Sequence, residues 1–195
     1  MWSAIVCLCS FSNGVYAVCN VLVPIVLRQR LGYSLVTVGS VLSASSSGLI
    51  IGSLLLGCSP RLTRICVQQP LLCVLWAFVA QGVLILLLLL EPGALFTAMG
   101  GALYYALDAP IISATACLLR RSAPLAMQGR LSSLRLFLIT VGQPICNSLL
   151  PTAVDLLGVY PLIATLGTSV IALSLLLFSL RRKLEEQPAS VNYDD

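Results

Sequence analysis

One acidic residue, Asp108, stands inside the long apolar runs of this chain, within the stretch MGGALYYALDAPIISATACLL that covers Met99 to Leu119. An ionised carboxylate near the middle of a bilayer costs about 2.5–3.5 kcal/mol on insertion scales, so such a residue faces protein or water and marks a pathway by default. The chemistry open to it is loading and releasing a proton, or holding a cation. Tyr104, Asp108, Ile111 and Thr115 follow spacings of four, three and four, which place them on one helix face with hydroxyls above and below the carboxyl. Tyr105 stands beside that face, and Pro110, which has no N–H, frees the carbonyl of Ala106 four residues back. In the first apolar run Asn13, Tyr16 and Asn20 share a face in the same way. Two readings are open for each set. Asp108 is a proton carrier, or an acid held by a hydrogen bond to a polar partner in the interior. The Asn13, Tyr16 and Asn20 face touches substrate, or bonds one helix to the next.

The same inventory points away from other chemistry. Aspartyl catalysis uses a pair of carboxyls, and only Asp108 lies within an apolar run; the chain has no His to serve a nucleophilic serine. An enzyme is therefore not expected. Most of the eight cysteines (Cys7, Cys9, Cys19, Cys58, Cys66, Cys73, Cys117, Cys146) fall in apolar runs, where a free thiol behaves as a small hydrophobe. Neither a disulfide framework, a metal site nor a cofactor is expected. The net charge of +4 comes from basic residues near the ends of apolar runs, which orientation in a membrane explains better than nucleic-acid binding.

The elements that must position these residues are read from composition. Of 195 residues, 58% are hydrophobic and 9% charged, against about 25% charged in a soluble domain, and the mean hydropathy is +1.01. Six runs approach the 20 or so apolar residues that a span needs, at about 2–27, 35–57, 71–90, 94–119, 136–154 and 160–180, with a polar tail over 181–195. The first has no basic n-region and runs on to Leu27, so it reads as a retained span rather than a signal peptide. Span 2 is crowded with small residues, Gly39, Ser43 and Ser47 at four-residue spacing and Gly48 with Gly52 as GxxxG, which let helix backbones approach closely. Span 3, with Gln81 as its strongly polar interruption, reads as peripheral and lipid-facing, as does the Leu-rich span 6. Glu91, Pro92 and Gly93 read as a tight turn in which glycine supplies the permissive φ. Span 5, interrupted by Gly142, Pro144, Asn147 and Pro151, reads as an interior, bendable helix, with Asp155 and Gly158 turning the chain.

Nine of the eleven Lys and Arg residues lie after spans 2, 4 and 6, and two lie after span 1. The positive-inside rule then places both termini in the cytoplasm. Spans 1–3 and 4–6 also repeat one order of character: polar-faced with a proline, then small and flexible, then Leu-rich. A three-span unit repeated has opposite orientations in the membrane, which is the inverted repeat of secondary transporters. The expected fold is all-α: six transmembrane helices in an inverted 3+3 repeat.

Two stretches resemble the major facilitator superfamily. VLVPIVLRQRLGYSLVTVGSVLSASSSGLIIGSLLLG is similar to its seventh and eighth spans, and LLRRSAPLAMQGRLSSLRLF to the connection between its tenth and eleventh. The likeness is to the drug and siderophore exporters, of the enterobactin-exporter and macrolide-efflux type, and covers roughly residues 13–180, with GRLSSL its most specific part. The family's cytoplasmic loop signature maps onto Gly57, Arg61 and Arg64, with Pro60 where the family has an acid and Thr63 where it has a second glycine. The matched part is the second six-span half of a two-half transporter, at home in a bacterial inner membrane. The resemblance implies that spans 1 and 4 line a cavity, that spans 2 and 5 face another half supplied in cis or in trans, and that spans 3 and 6 lie outside.

The expected function is export of a small amphipathic molecule, a drug or siderophore, by proton antiport and alternating access, with Asp108, Tyr104, Tyr105, Thr115, Asn13, Tyr16 and Asn20 along the path. The alternative is a non-transporting membrane subunit or scaffold, or an inactive remnant of a transporter. Its partners are then the lipid bilayer and a second six-span half.

Overall fold

The computed structural model describes residue 14 and residues 19–122 and 125–185. Asn13 and Tyr16 lie outside the described residues, as does the tail beyond Glu185. Among the described residues every regular element is helical. We number them α1 (residues 19–25, passing into a π turn at Val26–Arg30), α2 (Leu35–Cys58), α3 (Pro60–Gln68), α4 (Pro70–Leu87, tightening to a 3-10 turn at Leu88–Leu90), α5 (Ala94–Ala106), α6 (Asp108–Ser122), α7 (Leu125–Leu157) and α8 (Val159–Glu185). Among the described residues four stretches are long and apolar enough to cross a membrane: Leu35–Cys58, Pro70–Leu90, Ala94–Leu118 and Val159–Ser179. The chain is thus an all-α protein with the features of a membrane protein.

Each turn has a local cause. After the π turn the chain reverses at Gly32, whose φ of 66° favours glycine, and Ser34 then caps α2 by accepting a bond from the Thr37 N–H at 3.2 Å. Ser59 caps α3 in the same manner, accepting from Leu62 N–H at 3.4 Å, with Pro60 at the first helical position. At the 91–93 turn the expected role of glycine is corrected: Gly93 has φ −60°, and the left-handed residue is Glu91 at φ 48°. Gly93 instead serves as the residue before α5, where its carbonyl accepts the Thr97 N–H at 3.0 Å. The reversal between α7 and α8 falls on Gly158, φ 81°, while Asp155 is still within α7.

Side-chain contacts show which connections share an end. At one end the Tyr33 hydroxyl accepts the Ala94 N–H at 3.3 Å, and the Arg30 guanidinium lies 4.9 Å from the centre of the Tyr160 ring. At the other, the Cys117 thiol of α6 approaches the Val67 carbonyl of α3 at 3.9 Å. Arg61, Arg64, Arg120 and Arg121, all exposed, belong to this second end.

Two close helix crossings hold the bundle. On α2, the buried Gly48 and Gly52 lie directly on the backbone of α5, at Ala102 and Ala106, where a Cβ on either glycine would collide with a main-chain carbonyl. Ser45 fits against Gly101 one turn away. On α4, a Cβ at Gly82 would sit 2.6 Å from Ile171 and 3.1 Å from the Gly167 carbonyl of α8, and one at Gly167 would sit 2.6 Å from Leu86. Small residues therefore set both crossings.

The second crossing overturns the expectation that span 3 is peripheral. Val74, Ala77, Phe78, Gln81, Gly82 and Ile85 of α4 are buried, and its lipid side is narrowed to residues such as Trp76 and Val83. Span 6 is likewise buried on one side, through Leu162, Ile163, Gly167 and Val170, and exposed on the other. Leucine is as apolar as lipid, so hydropathy does not separate a lipid-facing flank from a packed one; Ala77 and Gly82 carry that distinction. The expected fifth span is part of a 33-residue helix, α7, that begins at Leu125 and remains continuous through Pro144 and Pro151. Rather than being interior, α7 leaves most of its described side chains exposed and buries Leu150.

Candidate functional site

Asp108 occupies a break in a membrane-length helix. Pro110 has no N–H to offer Ala106, α5 closes at Ala106, and α6 begins at Asp108 after the single residue Leu107. The freed Ala106 carbonyl lies on Gly52, the one residue type whose missing side chain leaves room for it. The carboxylate consequently stands at the proline kink, in the first turn of α6, with helical i→i−4 bonds from Leu107 N–H to the Leu103 carbonyl and from Ile111 N–H to the Leu107 carbonyl on either side. An interrupted helix of this kind is tolerated at membrane depth only where protein or a water-filled cavity surrounds it.

Asp108 is 9% exposed. Its Oδ1 accepts a hydrogen bond from Gln81 Nε2 at 2.8 Å, and the same amide nitrogen donates to the Tyr104 carbonyl at 3.2 Å. Gln81 is 2% exposed, so both amide protons are spent on the α5–α6 break in a dry setting. Among the described residues no Lys or Arg pairs with Asp108, and no three of His, Cys, Asp and Glu converge as a metal site would require. The acid is thus held by a neutral donor, which leaves it able to change charge without breaking an ion pair.

Tyr104 and Tyr105 are both buried and meet edge to face, with ring centres 5.6 Å apart and planes at 89°. The Tyr105 hydroxyl donates to Asn20 Oδ1 at 2.6 Å, linking α5 to α1. Of the residues singled out in the sequence, the structure therefore groups Asp108, Tyr104, Tyr105 and Asn20. Thr115 is buried two turns along α6, and its hydroxyl is spent on its own helix, on the Ile111 carbonyl at 2.7 Å and the Ile112 carbonyl at 3.0 Å. Gly57, Arg61 and Arg64 are exposed around the α2–α3 junction, where Thr63 Oγ1 donates to the Leu56 carbonyl at 2.6 Å. Gln81 is the residue that sequence reasoning did not place in the site. Its signal was present: a strongly polar side chain inside an apolar run needs a buried partner as much as an acid does.

Next to the tyrosines lies a cavity of about 520 Å³, lined by residues of α1, α2, α4 and α5 that include Tyr104 and Tyr105. Its size is that of a small-molecule site. Comparison with protein-family models, with curated proteins and with solved structures returns no match.

Proposed function

We propose that this chain is a transporter of the major facilitator type, contributing a six-span, inverted-repeat half that exports a small amphipathic molecule in exchange for protons, with Asp108 as the proton carrier. The observation that carries this reading is the carboxyl itself, buried at a helix break and bonded by the neutral Gln81 amide. A structural acid in hydrocarbon is cheapest when paired with a cation. An acid that must take up and release a proton is better served by a neutral donor and a nearby cavity, and both are present. Interrupted helices at the midplane are likewise where secondary transporters place substrate and coupling ions.

In this mechanism the protonated and ionised forms of Asp108 differ in what they ask of their surroundings. The ionised form keeps the Gln81 bond; the protonated form gains a donor that can bond elsewhere. Alternating exposure of the carboxyl to the two sides then couples proton entry to substrate exit. Rocking of one six-span bundle against another supplies that alternation, and the exposed apolar flanks of α2 and α7 are the surfaces for the second bundle.

The same flanks favour a second reading, a non-transporting membrane subunit whose role is to dock a partner through α2 and α7. The full chain in inverted membrane vesicles, loaded with a lipophilic fluorescent dye under an imposed pH gradient, separates the two. Transport predicts gradient-dependent dye movement that Asp108→Asn reduces at normal membrane insertion. Absence of movement both alone and with co-expressed six-span halves favours the subunit.

A further inference from the structure

The cavity beside Tyr104 and Tyr105 has a wall chemistry that restricts what it can hold. Its exposed large apolar lining residues are Leu87, Leu90, Phe96, Met99 and Leu103, all in segments of membrane-spanning length. A lining of that composition is better suited to hydrocarbon than to water. Deeper in, Leu42, Leu84, Ile85 and Leu88 continue an aliphatic lining.

Among the described residues, Ser45, Thr97 and Tyr105 along the wall already have their hydroxyls engaged. The Ser45 hydroxyl donates to the Val41 carbonyl at 2.8 Å, and the Thr97 hydroxyl donates to the Pro92 and Gly93 carbonyls at 3.1 and 3.2 Å. The Tyr105 hydroxyl is directed to Asn20. No Lys, Arg, Asp or Glu is among the described residues that line the cavity. A charged or strongly hydrogen-bonding group placed there would lose its water and gain little in return. Hydrocarbon loses nothing, and each buried CH₂ contributes about 0.8 kcal/mol against water.

We infer that this cavity is the subsite for the alkyl chain of a single-chain amphipath that reaches the protein from within the bilayer. The inference rests on the transport reading for calling that amphipath a substrate, and it names the substrate class: a polar or charged head on one unbranched hydrocarbon chain. The chain enters between the ends of α4 and α5, its tip reaches the tyrosine pair, and Tyr104 separates it from the Gln81–Asp108 pair, to which the Tyr104 carbonyl is bonded.

Gly100 makes the inference testable, because it lines the cavity and a Cβ added there meets nothing within 4 Å. Gly100→Leu therefore fills the space without displacing backbone, while Gly39→Leu, equally unobstructed but away from the cavity, is the matched control. The full chain in lipid nanodiscs is exposed to a diazirine-bearing fatty acid, irradiated, and its cross-linked peptides are mapped by mass spectrometry. The expected result is labelling within residues 84–105 that falls at least about tenfold in Gly100→Leu, persists in Gly39→Leu and Asp108→Asn, and is displaced by unlabelled single-chain amphipath. Undiminished labelling in Gly100→Leu overturns the inference, and so does displacement by added diacyl phospholipid alone, which makes the cavity a bilayer-lipid site. Labelling that obeys the expected pattern in a chain that moves no amphipath under any gradient keeps the alkyl subsite and removes the transport reading.

Discussion

Gln81 Nε2 lies 2.8 Å from Asp108 Oδ1 and binds α4 to the first residue of α6. The same nitrogen holds the Tyr104 carbonyl at the end of α5, so one amide spans both sides of the helix break. Structure and chemistry meet in this arrangement: the break exists because Pro110 has no N–H, and among the described residues the acid at the break has no countercharge.

Removing the donor is predicted to be worse than removing the pair. Gln81→Leu leaves a buried carboxyl without its partner and lowers stability by about 1–3 kcal/mol, whereas Gln81→Leu combined with Asp108→Leu recovers most of that loss. Unfolding of the detergent-solubilised protein, followed by helical circular dichroism, measures both. Equal destabilisation by the single and double variants contradicts the pairing.

The α2–α5 crossing depends on absent side chains. Gly52→Leu forces a side chain against the Ala106 backbone and is expected to cost about 1–3 kcal/mol, the range for overpacking, or to separate the helices. Gly57→Leu, where an added Cβ meets nothing within 4 Å, is expected to stay within about 0.5 kcal/mol of the parent. The thermal midpoints of the two variants in one detergent give the comparison.

Orientation is checked by labelling. With Cys58 as the single cysteine, exposed at the arginine-rich end, a membrane-impermeant maleimide is expected to react in inverted vesicles and not in intact cells. A single cysteine at position 91, in place of the exposed Glu91, is expected to react in intact cells. The reverse pattern contradicts a cytoplasmic location for the arginines.

The helical character of the described residues and the limits of four of the six expected apolar stretches were legible from hydropathy, while the fifth lies within the longer helix Leu125–Leu157. Leu35–Cys58 and Pro70–Leu90 fall within a residue of the expected spans, because a polar break such as GCSPR ends an apolar run visibly. The contact between Gly48–Gly52 and α5 was legible as a need for a close neighbour, though not which neighbour. What hydropathy hid was burial: α4 reads as a lipid-facing helix, yet it packs against α8 and supplies the site's amide, since a packed apolar flank and a lipid-facing one have the same composition. The Asp108, Tyr104 and Tyr105 grouping followed from helical spacing along one segment. Its partners Gln81 and Asn20 come from other helices, 27 and 85 residues away from the groups they bond, and no periodicity within one helix encodes such a contact.

Proton exchange at Asp108 during transport is what distinguishes a carrier carboxyl from a structural partner of Gln81. Gradient-driven flux and gradient-independent exchange of one single-chain amphipath, measured side by side in vesicles, isolate that step. In Asp108→Asn the driven flux is predicted to fall roughly tenfold or more, while exchange at equal pH on both sides persists, because only the proton-coupled step needs the carboxyl. Driven flux as fast in Asp108→Asn as in the parent chain contradicts the proton-carrier role and leaves Asp108 as a structural partner of Gln81.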